Sequence, residues 1–131
     1  MQRLHWVVVL LGLALLGVSV PSLVDDWKVV SGETDSEFRY FVNTSSIERK
    51  GDTVTFWIRN NYVTRGSSGE LSAKNRVSIN CVRSEWTFRH VSLYDDIDAE
   101  GMIVLSRDMP SDWHSISPKT VLSASAKLVC H

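Results

Sequence analysis

The chain has 131 residues, with 14 Lys or Arg against 15 Asp or Glu and a net charge of −1. That balance excludes the general electrostatic attraction that marks binders of nucleic acid and anionic membranes. The length admits one domain and not two.

Hydrophobic content of 44% and aromatic content of 9% suit an ordinary core, but the apolar residues are unevenly spread. Arg3 precedes an uninterrupted apolar run from Trp6 to Val18. Such a run fits the apolar region of a secretory signal, about 7–15 residues, and falls short of the ~20 needed to span a bilayer. Residues 1–22 are therefore expected to be a signal peptide, cut after Ser19 or Ser22, with an uncleaved signal anchor as the alternative. Loss of residues 1–22 removes Arg3 and no acid, leaving 13 basic against 15 acidic residues. No Cys adjoins the apolar run, so no lipid anchor is expected there, and no membrane span remains after cleavage. Both Cys residues fall in the exported part, and an even count in a small exported domain predicts a Cys81–Cys130 disulfide. Closing so long a loop stabilises by ~4 kcal/mol in the chain-entropy model.

From Asp25 onward, short runs rich in β-branched and aromatic residues alternate with turn marks such as Ser31-Gly32, Lys50-Gly51-Asp52 and Glu100-Gly101, the pattern of an antiparallel β domain. Strands are expected over Asp26–Val30 and Phe38–Asn43, with Thr44 to Glu48 as a turn or single helical turn because its Ser and Thr hydroxyls compete for backbone. Thr53–Tyr62 alternates strictly, with Val54, Phe56 and Ile58 on one face and Thr53, Thr55, Trp57 and Arg59 on the other. Thr64 to Ser72 reads as the most flexible loop. Lys74–Val82 and Trp86–Leu93 follow. In the second of these Trp86 and Phe88 share one parity while Val91 and Leu93 share the other, a slip that a β-bulge repairs. Met102–Ser106 is the sixth strand. Ser117-Pro118 supplies a helix N-cap and first turn, and Val121, Leu122, Ser125, Leu128 and Val129 then share a helical face. Cys130 lies off that face, so the helix must end near Leu128 for its Cys to reach Cys81. The expectation is an α+β fold: about six antiparallel strands with a C-terminal α-helix tethered across one sheet face by the disulfide.

Tyr40-Phe41-Val42-Asn43-Thr44-Ser45-Ser46-Ile47, Trp57 in a strand, Val77-Ser78-Ile79-Asn80-Cys81, Tyr94-Asp95 followed by Gly101, and Trp113-His114-Ser115-Ile116-Ser117-Pro118 before Val129-Cys130 together resemble the surface-adhesin protein E family of Gram-negative bacteria. The resemblance spans nearly all of residues 23–131. It implies a six-stranded antiparallel sheet with a disulfide-tethered C-terminal helix. It also implies binding of host matrix and serum proteins such as laminin and vitronectin. On this basis the chain is expected to be an exported, non-catalytic protein-binding module, in the periplasm, secreted or at the cell surface. A periplasmic envelope-assembly protein and an unrecognised hydrolase are the competing readings. The oligomeric state is left open, with a dimer among the options.

The residues point the same way when their chemistry is weighed. Asp96 to Gly101 resembles the start of a calcium loop, but Arg107 stands where a bidentate Glu is required, so a solvated acidic turn is expected. His90 and His114 lack metal-ligand spacing, no cofactor is expected, and no nucleophile elbow, phosphate loop or Cys–His signature is present. Trp27, Trp86 and Trp113 are expected in the core. Trp57, whose neighbours on its face are polar, together with the local cluster Arg83, Arg89 and His90, forms the candidate partner-binding set.

Overall fold

The computed structural model describes residues 25–33, 38–109 and 111–131, together with Gly17, so the expected leader lies outside the described residues apart from that glycine. Six strands run antiparallel in chain order: β1 (Trp27–Val30), β2 (Arg39–Lys50), β3 (Thr53–Asn61), β4 (Ser72–Asn80), β5 (Glu85–Tyr94) and β6 (Ile103–Asp108). Where β6 ends, a two-residue strand β7 (His114–Ser115), absent from the sequence reading, continues the pairing along β5 at Glu85 and Trp86. Helix α1 (Val121–Val129) closes the chain. Among the described residues no helix is long and apolar enough to cross a membrane.

The alternation of β3 sets the two sides of the sheet. Val54, Phe56 and Ile58 are buried on the helix-bearing face beside Val42, Val77 and Ile79, and Val121 and Val129 of α1 complete the cluster. The expected parity slip in β5 is real. Arg76 pairs with His90 while Val77 pairs with Phe88, so Arg89 is an extra, bulged residue. Trp86, Phe88, Val91 and Leu93 thereby register with Ile79, Val77, Asn75 and Ala73, all of one parity in β4. Beyond one bulge, residues of odd and even number exchange faces.

Segment 44–48 is neither a free turn nor helical. It stays within β2, but pairing to β3 breaks between Asn43 and Glu48. The hydroxyls do compete for backbone, as the composition suggested, yet they do so inside the strand. Asn43 Oδ1 accepts from the Ser45 N–H at 3.1 Å, and Ser46 Oγ accepts the N–H of Trp57 at 3.0 Å. The Thr64–Ser72 segment is also more tied than its composition suggested. The Gly66 N–H donates to Glu70 O, the Leu71 N–H to Tyr94 O, and Arg65 reaches both Gly69 O and Asp95 O. Ser72 itself already belongs to β4.

The helix begins later than Ser117-Pro118 implies. Lys119 takes a positive φ of 65° and Thr120 is the N-cap, its Oγ1 accepting from Ser123 N–H at 3.2 Å. The buried stripe is Val121, Ser125 and Val129, whereas Leu128 is 40% exposed. At Gly32 the chain leaving β1 passes so near the helix start that a Cβ would lie 2.4 Å from the Val121 nitrogen. Cys81, just past β4, and Cys130, the helix C-cap, form the expected disulfide with Cα atoms 5.7 Å apart. Replacing both cysteines by Ser should lower the unfolding free energy by ~2–4 kcal/mol, read as an earlier urea midpoint under non-reducing conditions. An unchanged midpoint would show that packing alone holds the helix.

Candidate binding face

The other face of the sheet carries no α-helix, and only a 3-10 turn, Ile97–Ala99, sits at one end of it against Arg59, Asn61 and Ser72. Its pairing rows follow from the register. One row reads Trp27, Asn43, Trp57, Arg76, His90 and Asp108 across the six strands, and the next reads Val29, Phe41, Arg59, Lys74, Ser92 and Ser106. Cross-strand partners share a face, so aromatic rings and cations interleave.

The contacts bear this out. The Arg59 guanidinium lies 4.5 Å from the Trp27 ring centre and 5.0 Å from that of Phe41. The Lys74 ammonium sits 4.9 Å from Trp57, Arg76 stacks on the same ring at 5.7 Å, and His90 meets Trp57 edge-on at 6.0 Å. Each cation–ring contact contributes roughly 0.5–1 kcal/mol at a partly exposed site. Carboxylates stand around the array: Glu48 on Arg76 at 2.7 Å, Asp98 on Arg59 at 3.7 Å, and Asp108 on His90 at 2.8 Å. Among the described residues no carboxylate lies within ion-pair distance of Lys50, Lys74 or Arg89. Arg59 and Lys74 are directly opposed across β3 and β4, a like-charge pairing that costs stability and is offset on the Arg59 side by Asp98.

The sequence-predicted residues divide. Trp57, Arg89 and His90 come together on the open face. The bulge makes this possible, because Arg89 turns to Ser78, with Nε donating to Oγ at 3.1 Å, next to His90 on the same side. Arg83 does not join them. It lies in the turn between β4 and β5, where its N–H donates to Asn80 Oδ1. Trp86 packs half-buried against the core, as expected. Trp27 and Trp113 correct the core expectation: Trp27 is half-buried on the open face under Arg59, and Trp113 is 40% exposed with Arg89 over its ring at 5.7 Å. Trp27 is the first residue of β1, and Trp113 lies just before β7. Arg59, Lys74 and Arg76 were missed. Their parity was visible in the alternation of β3 and β4, but their approach to Trp27 and Trp57 depends on register.

The acidic turn after β5 is taken up by its own scaffold. Asp96 caps the short 3-10 turn Ile97–Ala99, Asp95 Oδ1 accepts from Met102 N–H, and Asp98 bonds Asn61. At the far edge of the open face His90 connects a Ser and an Asp, with Nδ1 2.8 Å from Asp108 Oδ1 and Nε2 3.0 Å from Ser106 Oγ. The order of groups is that of a hydrolytic triad, but its physics is not. The Ser106 hydroxyl is shared with Ser92 Oγ at 3.1 Å, and the Asp108 side chain is 91% exposed, solvated where a triad acid is held by further donors. The network fixes the imidazole beside Trp57.

A half-covered antiparallel sheet with a disulfide-fastened helix and an open cation–aromatic face defines a compact β-rich binding-type domain. The profile of the surface-adhesin protein E family matches residues 27–131, and the chain belongs to that family. Its fold is similar to Haemophilus influenzae protein E in crystal form II, at 19% identity and a TM-score of 0.56, covering 82% of this chain and 91% of that one. A second structure of the same protein matches at 17% identity and a TM-score of 0.57, covering 82% and 88%. No curated protein sequence matches this chain.

Because Ser46 Oγ is the acceptor for the Trp57 N–H, Ser46→Ala should destabilise the domain by ~1–3 kcal/mol. Thr44→Ala, whose hydroxyl bonds the exposed Asp26 carbonyl, should shift the urea midpoint much less. Equal shifts would remove the role assigned to Ser46.

Proposed function

We propose that this chain is exported, loses residues 1–22, and acts through residues 23–131 as a non-catalytic module that binds host matrix proteins of the laminin and vitronectin kind. One observation carries the reading: the opposed Arg59 and Lys74, held beside Trp27 and Trp57 on the face away from α1, where only the short 3-10 turn Ile97–Ala99 sits at one end. Arg and Trp are the residues that dominate interface energetics when they meet a partner surface. Lys50, Lys74 and Arg89, with no carboxylate in ion-pair distance among the described residues, steer an acidic surface and fix its register. Family membership supports the same conclusion. The open face lies opposite the helix and its disulfide, so a partner can dock there without disturbing the core.

Immobilised laminin and vitronectin, probed with the exported protein, test the proposal. Binding should be saturable and weaken as salt rises. Trp57→Ala should reduce it by about tenfold or more, in line with the ~1.4 kcal/mol or greater that a central aromatic anchor supplies. Arg83→Ala should leave it nearly unchanged. Absence of binding to either protein would remove the adhesin reading. Ester hydrolysis by the purified chain that is abolished in Ser106→Ala would replace it with a catalytic one.

A further inference from the structure

Part of the open face is concave. A shallow cleft of about 600 Å³ is lined by Lys50, Thr53, Thr55, Arg76, Ser78 and Arg89. Three of these are cations and three bear hydroxyls. The lining has neither a carboxylate nor an apolar side chain, although the chain as a whole is net acidic. The floor is built and not merely solvated: Ser78 is 1% exposed, its Oγ lies 2.7 Å from Thr55 Oγ1, and it accepts from Arg89 Nε. Arg76 is set in place by Glu48 and by the Trp57 ring, and Arg89 by Ser78 and the Trp113 ring. Both forks are thus pre-oriented, which reduces the entropy lost on binding.

From this geometry we infer that the cleft binds a sulfated, uronate-bearing polysaccharide. The inference rests on the reading above that the helix-free face is the binding face, and it names a chemistry for that face. Lys50 and Arg89 stand on β2 and β5, three strand spacings apart, or roughly 14 Å across the sheet. Between them lie the hydroxyls of Thr53, Thr55 and Ser78. A linear anionic sugar laid across the strands meets a cation at either end and, in the middle, the hydroxyls of Thr53 and Thr55, each able to donate and accept, above a buried Ser78 that positions Thr55 and Arg89. Planar guanidinium forks match sulfate and carboxylate oxygens in pairs. An acidic peptide would satisfy the cations but would bring side chains that the hydroxyl floor does not match. A peptide strand also docks most readily along a sheet edge, and this cleft lies on the face.

The test uses the exported protein and a heparin-derived hexasaccharide, with the fully desulfated hexasaccharide and poly-L-glutamate as controls, followed by calorimetry at low and physiological salt. Saturable binding of the sulfated sugar is expected, at least tenfold tighter than either control. Lys50→Ala and Arg89→Ala should each weaken it roughly threefold, the size of one exposed charge contact. Thr55→Val, which keeps the side-chain shape, should weaken it while leaving poly-L-glutamate binding unchanged, a readout that separates loss of the hydroxyl from loss of fold. Equal binding of poly-L-glutamate, or full binding by the Lys50 and Arg89 variants, would overturn the inference. Capture of laminin or vitronectin without any hexasaccharide binding would overturn the sugar assignment while leaving the protein-binding reading. Failure of both ligands would overturn both.

Discussion

Cys81 leaves the end of β4 just where Cys130 caps the helix, and this bond determines which face of the sheet is closed. The helix has nine residues and buries only Val121, Ser125 and Val129 against the sheet. So small an apolar stripe could hold a short helix only weakly. Removing loop entropy from the unfolded chain supplies what packing does not. The N-terminal end is fixed by shape, where Gly32 admits the backbone of Thr120 and Val121. With both ends of α1 fastened to one side, the opposite side carries only the short 3-10 turn Ile97–Ala99 at one end. An antiparallel sheet tolerates that arrangement when the uncovered face is polar.

On the open face, polarity comes from cations together with Ser, Thr and Asn side chains, and the Arg89 bulge is what completes the arrangement. Without the extra residue, Val91 and Leu93 would emerge beside Arg76 and Lys74 on the open face. With it, one insertion keeps the apolar residues inward and directs both Arg89 and His90 outward beside Trp57. Fold and site therefore share a single local feature. The aromatic rings serve both roles as well: they pack against Arg59, Lys74 and Arg76, and they present flat surface on the open face.

The strand count, the bulge, the disulfide and the position of the helix were all legible in the sequence, because each follows from local periodicity or from the small number of cysteines. The errors have physical reasons. The Thr44 to Glu48 segment looked like a turn since its hydroxyls seek backbone partners; they find them across the strand pair, at Trp57 N–H, which no local rule reveals. Ser117-Pro118 was a good helix start in isolation, but Thr120 caps the helix after the chain has turned at Lys119. Trp27 and Trp113 were assigned to the core on hydrophobicity alone, whereas ring faces beside Arg59 and Arg89 stabilise them half or largely exposed. Of the candidate face, Trp57, Arg89 and His90 were named from the sequence and lie together, whereas Arg83 lies apart in the turn between β4 and β5. Arg59, Lys74 and Arg76 needed the pairing of β3 with β4, a long-range property that spacing does not encode.

The central claim is that the helix-free face is the working surface, and its most direct test asks which face touches a partner. A benzophenone amino acid placed at Trp57 on the open face, or at Leu128 on the exposed flank of the helix, would be irradiated with the protein bound to vitronectin or laminin. Crosslinks from position 57 and none from position 128 are the predicted result. Crosslinks from position 128 with none from position 57 would contradict the account.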